Sequence, residues 1–167
     1  IYTIPNFQNP SGVTMSLEKR KAVYELAKKY GVLILEDNPY GDLRYEGEDI
    51  PAIKSFDTDG IVIYAGSFSK VISPGMRVGW CVAPEQICKK LVVCKQGSDV
   101  HTNIWSQILC CEFMQKYDFE AHLKSLRELY TKKAKLTESL LKEHLAPYGI
   151  TYNKIEGGLF VWCTLPD

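Results

Sequence analysis

The chain has 167 residues, of which 46% are hydrophobic, and this is long enough to bury a core. Its 20 basic and 20 acidic residues give a formal net charge of zero at pH 7. This balance, without a run of like charge, argues against nucleic acid or an anionic membrane as the main partner. No apolar run in the sequence approaches the roughly 18 residues that a membrane-spanning helix needs.

The six cysteines form neither a C-x-x-C pair nor a cluster with histidines at metal-ligand spacing. Most of them lie in apolar stretches, which indicates buried or free thiols in a reducing compartment. We therefore expect a cytoplasmic protein without a metal site.

Both ends of the chain have the pattern of interrupted strands. Residues 1–4 resemble the middle of a β-strand and lack an initiator methionine, while residues 165–167 directly follow another strand-like run. We expect the chain to be an internal-to-C-terminal fragment of a longer protein, truncated at both ends.

The first predicted strand, residues 1–4, ends at Pro5 and leads into a loop rich in turn-forming residues at 6–12. Asn9 stands before a proline, which restricts its backbone to extended geometry and holds its amide in one direction. The loop is therefore either an ordinary turn or a means of presenting an amide at the end of a strand.

A helix is predicted from the N-cap Ser16 through Tyr30, because Gly31 is a natural C-terminal stop. Its apolar stripe is expected to face the core. The stripe consists of Val23, Leu26, Ala27 and Tyr30.

Two further buried strands are predicted at 32–35 and 61–65, with a polar loop at 41–60 between them. Asp37 follows the first of these strands, where a carboxylate either caps a turn or faces a cation in a cleft. Lys70 follows the second strand in a loop of small hydroxyl residues. Packing explains a lysine poorly at this position, whereas Schiff-base lysines are a common outcome of such burial.

Arg77 follows this loop and supplies a planar charge suited to holding a phosphate. Residues 78–83 predict a strand that ends at Pro84, and this proline suits the first turn of a helix through about Lys95. A further helical stripe, which by default packs in the core, consists of Ile104, Trp105, Ile108, Leu109 and Phe113.

A single long helix is predicted from the N-cap Asp118 to about Leu145. It exceeds the usual helix length of about 11–12 residues, which suggests that it links two domains. Two strands, 150–154 and 159–165, follow and indicate the start of a second module. The apolar face of the helix consists of Phe119, Leu123, Leu126, Tyr130, Leu140, Leu141 and Leu145.

The alternation of strands and helices predicts an α/β sheet covered by helices. Polar clusters follow three separate strands of this sheet, at Asn9, at Asp37–Tyr40 and at Ser67–Lys70. Ligands of open α/β sheets bind outside the carboxyl ends of the strands. We therefore expect the three clusters to line one pocket.

Four ordered motifs resemble the cofactor signature of the fold-type I pyridoxal-phosphate enzymes. They are Asn9-Pro10-x-Gly12, Asp37-x-x-Tyr40, Ser67-x-Ser69-Lys70 and Arg77. Within this fold type the chain is similar to the class I/II aminotransferases, and its segment 5–14 most resembles their 2-aminoadipate, kynurenine and aromatic branch. The resemblance covers essentially the whole chain.

This resemblance implies a domain organisation. Residues 1–117 would belong to the cofactor-binding large domain, with a mixed, mostly parallel sheet flanked by helices. Residues 118–147 would form a long interdomain helix, and residues 148–167 would begin an α+β small domain.

The resemblance also implies a role for each motif residue around pyridoxal 5′-phosphate. Lys70 would form the internal aldimine and then act as the general base between the substrate Cα and the cofactor C4′. Asp37 would pair with the pyridine nitrogen and keep the ring an electron sink. Tyr40 and Asn9 would donate hydrogen bonds to the phenolic oxygen. The phosphate would be held by Ser67, Ser69 and Arg77.

The implied reaction moves an amino group from an L-amino acid to a 2-oxo acid, with 2-oxoglutarate as the expected acceptor. Family members are dimers, so a homodimer is expected for the full-length protein, with neither nucleic acid nor membrane as partner. The arginine that binds the substrate carboxylate in the family would lie downstream of residue 167. We therefore expect the fragment to be inactive alone.

Two alternatives share this scaffold. Winged-helix transcription regulators carry an aminotransferase-like domain, but they often alter the segments that here contain Asn9 and Asp37–Tyr40. A pyridoxal-phosphate lyase would use the same cofactor residues and would be distinguished by its products. A cofactor-free structural module would not need four ordered motifs.

Overall fold

The computed structural model describes residues 1–166 and is built around a four-stranded sheet with the order β1-β2-β3-β4. β1, β2 and β3 are parallel, and β4 is antiparallel to β3, which confirms the expected mixed, mostly parallel sheet. The strands are β1 (Tyr2–Thr3), β2 (Ile34–Asp37), β3 (Val62–Ser67) and β4 (Gly79–Val82).

The helices of the described residues are α1 (Leu17–Tyr30), α2 (Glu85–Ser98), α3 (Ile104–Lys116) and α4 (Phe119–His144). None of them is long and apolar enough to cross a membrane. A second, two-stranded antiparallel sheet follows α4 and consists of β5 (Thr151–Tyr152) and β6 (Cys163–Thr164).

The ends of α1 follow the local chemistry that the sequence predicts. The Ser16 side chain accepts the N–H of Lys19 at the first turn, and Gly31 ends the helix in the left-handed region at φ 62°. The predicted long helix is also present as one element of 26 residues, and its N-cap Asp118 accepts the N–H of Ala121.

The predicted apolar stripe of α1 is wrong in part, because Leu26 and Tyr30 are 52% and 69% exposed. The helix instead turns Arg20, Tyr24 and Ala27, at positions i, i+4 and i+7, towards the sheet. The resulting core cluster consists of Tyr24, Ala27, Ile34, Ile53 and Val62.

β2 lies two residues further along the chain than predicted, because its pairing continues through Glu36 and Asp37. Glu36 is fully buried, and its two carboxylate oxygens accept the backbone N–H groups of Ile53 and Lys54, each at 2.8 Å. Burial raises the pKa of Glu36 despite these bonds.

The segment 41–60, predicted as a polar loop, contains ordered turns. They include the 3₁₀ helices Gly41–Leu43 and Ile53–Phe56, and the Glu36 carboxylate accepts the first N–H groups of the second one.

The core location predicted for the apolar stripe of α3 is also wrong. Trp105 is 71% exposed, and the buried residue of this helix is Cys110. The stripe remains exposed because the other described elements do not pack on it. The members that face solvent are Ile104, Trp105, Ile108 and Leu109.

Candidate functional site

The carboxyl edge of the main sheet gathers the ends of β1, β2 and β3. The parallel register of β2 and β3 aligns Asp37 with Ala65 near the ends of both strands. β4 runs antiparallel, with Gly79 opposite Ser67, so its first residue lies at the same edge. The loops that carry the four sequence motifs therefore all leave or enter the sheet on one side.

Asp37, the last residue of β2, lies on the sheet face opposite to α1. Side chains alternate along β2, so Ile34 and Glu36 are buried on the α1 side whereas Leu35 and Asp37 lie on the other face. Asp37 Oδ2 accepts a hydrogen bond from Tyr2 Oη at 2.7 Å. This hydrogen bond, followed by partial burial, raises the pKa of Tyr2 to about 12. No sequence pattern singled out Tyr2.

Lys70 lies half-buried in a tight turn after β3, and its ammonium group forms no ion pair within residues 1–166. The turn closes because the Phe68 carbonyl accepts the N–H of Ile72 at 2.8 Å. Val71, the next residue, is buried in a core cluster with side chains from α4 and from the turn after β2. The backbone around Lys70 is thus fixed, while its amine is available for a ligand.

Ser67 and Ser69 open this turn, and Arg77 follows it. Ser67 Oγ accepts the N–H of Ser69 at 3.0 Å. Arg77 is exposed and adopts left-handed backbone at φ 55°, which costs a non-glycine residue about 1 kcal/mol. Its Nη1 donates to the Pro74 carbonyl at 3.2 Å, and its remaining N–H groups can serve an anion.

Asn9 and Tyr40 lie in the loops after β1 and β2 and differ in burial. Asn9 is exposed, and its peptide bond to Pro10 is cis. Tyr40 is only 5% exposed, and its ring meets Phe160 edge-on at a centroid distance of 5.4 Å. The C-terminal part of the chain therefore covers Tyr40, which the motif spacing did not indicate.

A chain of side-chain hydrogen bonds joins the segments around these loops. Arg20 Nη2 donates to Asn6 Oδ1 at 2.6 Å, and Asn6 Nδ2 donates to Asn38 Oδ1 at 2.8 Å. Asn38 Nδ2 in turn lies 2.6 Å from Tyr64 Oη. The network fixes Asn38, beside Asp37, and Asn6, the first residue of the loop that contains Asn9.

Arg20 anchors this network and is fully buried. Its guanidinium also donates to the carbonyls of Met15, Pro5, Ile50 and Pro51, at 3.0 to 3.1 Å. Burial lowers the pKa of Arg20. Its neighbours in the sequence are exposed lysines, so no local pattern distinguishes it from an ordinary surface charge.

Residues 153–160 close over the loop that contains Asn9. An added Cβ at Gly157 or at Gly158 would collide with the side chain of Phe7, which explains why the chain has glycine at both positions. Asn153 Nδ2 also donates to the Ser11 carbonyl at 3.2 Å. Gly157 and Gly158, which lie between the predicted strands 150–154 and 159–165, therefore pack against the loop that contains Asn9.

Known proteins match this chain over almost its whole length. Residues 3–167 match the sequence model of the family described as aminotransferase class I and II. Aromatic-amino-acid aminotransferase 1 of Thermococcus litoralis is 44% identical over 167 residues, which are 100% of this chain and 40% of that protein. An uncharacterized HTH-type transcriptional regulator of Bacillus subtilis is 34% identical, over 98% of this chain and 34% of the regulator.

A solved aminotransferase structure is also similar to this chain over almost its whole length. The crystal structure of Pyrococcus horikoshii kynurenine aminotransferase, in complex with PMP and with kynurenine as substrate, matches with a TM-score of 0.95 and 42% identity. The match covers 99% of this chain and 41% of that chain. The chain thus spans about two fifths of the length of the aminotransferases that it matches.

Proposed function

This chain belongs to the class I and II aminotransferases, and on that premise we propose that it carries the pyridoxal 5′-phosphate site of an aminotransferase. The reaction proposed for the whole protein moves an amino group from an L-amino acid to a 2-oxo acid, with 2-oxoglutarate as the acceptor. One observation carries the proposal. Lys70, whose amine has no ion-pair partner within residues 1–166, and the carboxylate of Asp37 lie at the same carboxyl edge of one sheet.

The residues present fit this cofactor. Lys70 offers an amine without an ion-pair partner among the described residues, and the hydrogen bond from Tyr2 engages only one oxygen of Asp37. Arg77, turned to the same edge by the antiparallel β4, offers a guanidinium to a phosphate. When bound, pyridoxal 5′-phosphate supplies an electron sink for the charge that develops at the substrate Cα.

Each site residue then has a definable task. Lys70 Nζ would hold the cofactor and would move a proton at the substrate Cα. The Asp37 carboxylate would keep a proton on the pyridine nitrogen, and Tyr40 and Asn9 would donate hydrogen bonds to the phenolic oxygen. Ser67, Ser69 and Arg77 would hold the phosphate.

The test is to add pyridoxal 5′-phosphate to the chain and to the complete product of its gene, reduce with borohydride and map the modified peptide. We expect a stable adduct at Lys70 that disappears in Lys70→Ala, with the fold retained. Lys124→Ala, at an exposed position on α4, is the matched control and should keep the adduct. Label spread over surface lysines, without enrichment at Lys70, would contradict the proposal.

A second candidate function is the aminotransferase-like domain of a transcription regulator, which the Bacillus subtilis relative supports. Product analysis separates the candidates. A Lys70 adduct with conversion of 2-oxoglutarate to glutamate supports the aminotransferase. The same adduct without turnover, but with specific DNA binding, supports the regulator, and products formed without a 2-oxo acid support a lyase.

We further propose that α4 links the large domain to a small domain that begins near residue 148. The complete protein would be a homodimer. The exposed apolar side chains of α3 support the proposal that this helix contacts another part of the complete protein or its partner subunit. A cytoplasmic location is supported by the six cysteines, all within the described residues, which are free thiols.

A further inference from the structure

Tyr2 reaches the carboxylate of Asp37 from the neighbouring strand. Parallel pairing aligns Tyr2 with Leu35, so the tyrosine lies on the sheet face that also carries Asp37. Its hydroxyl donates to Asp37 Oδ2 at 2.7 Å, a normal length for an O–H···O hydrogen bond. The contact therefore joins two strands on the face where the cofactor is proposed to bind.

This hydrogen bond restricts Asp37 in a defined way. A carboxylate at a strand end can rotate about its side-chain torsions, and a donor fixed on the next strand selects one orientation. Because the bond uses Oδ2, Oδ1 is left for another partner. This bond, followed by partial burial, raises the pKa of Tyr2 to about 12, so the hydroxyl keeps its proton and remains a donor near pH 10, where an ordinary tyrosine is about half ionised.

We propose that Tyr2 is a positioning residue that orients the Asp37 carboxylate towards the pyridine nitrogen of the cofactor. This inference rests on the proposed function, because it concerns the same site. It assigns Tyr2 no contact with substrate and no part in proton transfer. Its whole effect passes through Asp37.

The first measurement needs no cofactor. Tyr2 is identified among the 10 tyrosines by labelling the phenol carbons and comparing NMR spectra with those of Tyr2→Phe. At pH 11 we expect Tyr2 to remain largely protonated in the parent protein. In Asp37→Ala it should be largely ionised, because its pKa returns towards the ordinary tyrosine value of about 10. Equal ionisation in both proteins would overturn the contact itself.

The second measurement is the dissociation constant for pyridoxal 5′-phosphate, from absorbance titration of the complete gene product. We expect Tyr2→Phe to raise it three- to tenfold, the scale of one hydrogen bond to a charged group that is open to water. In the Asp37→Ala background the same change should have no effect, because a residue that acts only through Asp37 then has nothing to orient. Tyr30→Phe, at a 69% exposed position on α1, is the matched control and should bind as the parent does.

The outcomes separate this inference from the proposed function. An unchanged dissociation constant in Tyr2→Phe, with the adduct still at Lys70, overturns the positioning role and leaves the proposed function standing. An equal loss in both backgrounds also overturns it, because Tyr2 would then act independently of Asp37. Failure of the parent protein to bind the cofactor overturns both.

Discussion

Replacing Arg20 with methionine tests the hydrogen-bond network beneath the site. The substitution keeps an unbranched apolar stem but removes a fully buried guanidinium with five hydrogen bonds. At about 1.5 kcal/mol for each bond to a charged donor, these contribute about 7.5 kcal/mol together. Desolvation of the buried charge offsets several kcal/mol of this, so we expect Arg20→Met to lower the free energy of unfolding by about 3–5 kcal/mol.

The assay is unfolding in urea, monitored by far-ultraviolet circular dichroism. Lys21→Met is the matched control, because Lys21 is the next residue on the same helix and is exposed. It should change the free energy of unfolding by less than about 0.5 kcal/mol. If Arg20→Met costs less than about 1 kcal/mol, the network does not stabilise the fold as argued, since total stabilities are only about 5–15 kcal/mol.

Three further predictions concern other parts of the chain. Asp37→Asn should keep the cofactor bound but slow transamination by about 100-fold or more, because an amide cannot hold the pyridinium charge; near-normal turnover would refute this role. Gly157→Ala should lower the free energy of unfolding by about 1–3 kcal/mol, because the new methyl group meets Phe7, whereas Gly97→Ala has open space and should not destabilise. Burial tends to raise the pKa of Asp57, but hydrogen bonds from a lysine and from two backbone N–H groups outweigh it and lower the pKa to about 2. Because this folded-state pKa lies below the unfolded value, the stability that Asp57 contributes should be present above about pH 4 and lost as the pH falls towards 2, and Asp57→Asn should remove that part of an acid-unfolding curve.

Helix ends and strand-end loops could be predicted from the sequence because their causes are local. A side-chain oxygen at Ser16 or Asp118 satisfies N–H groups only a few residues away, and Gly31 accepts a left-handed backbone without cost. The positions of Asp37 and Lys70 after apolar runs were sufficient to place both at strand ends. A short apolar run also implies a parallel strand when helices alternate with it.

The contacts that support the site could not be predicted, because their partners are distant in the sequence. Arg20 resembles its exposed lysine neighbours until the carbonyls of Ile50 and Pro51 are placed beside it. The bond between Tyr2 and Asp37 depends on the register of β1 against β2, which periodicity does not specify. The core location predicted for the apolar stripe of α3 was wrong for a related reason. An apolar pattern shows that a face can be buried, but it does not show which element covers that face.

The contact between residues 153–160 and the Asn9 loop bears on how the protein is made. A ribosome releases the motif residues 9–77 well before it releases Asn153, which bonds to Ser11 across 142 positions of the chain. During synthesis the residues of the main sheet are therefore available while the loop that carries Asn9 still lacks its packing against Gly157 and Gly158. The loop that contains Asn9 reaches its final packing only after α4 has emerged from the ribosome. A nascent chain that stalls within α4 would therefore expose the motif residues without the packing that residues 153–160 provide.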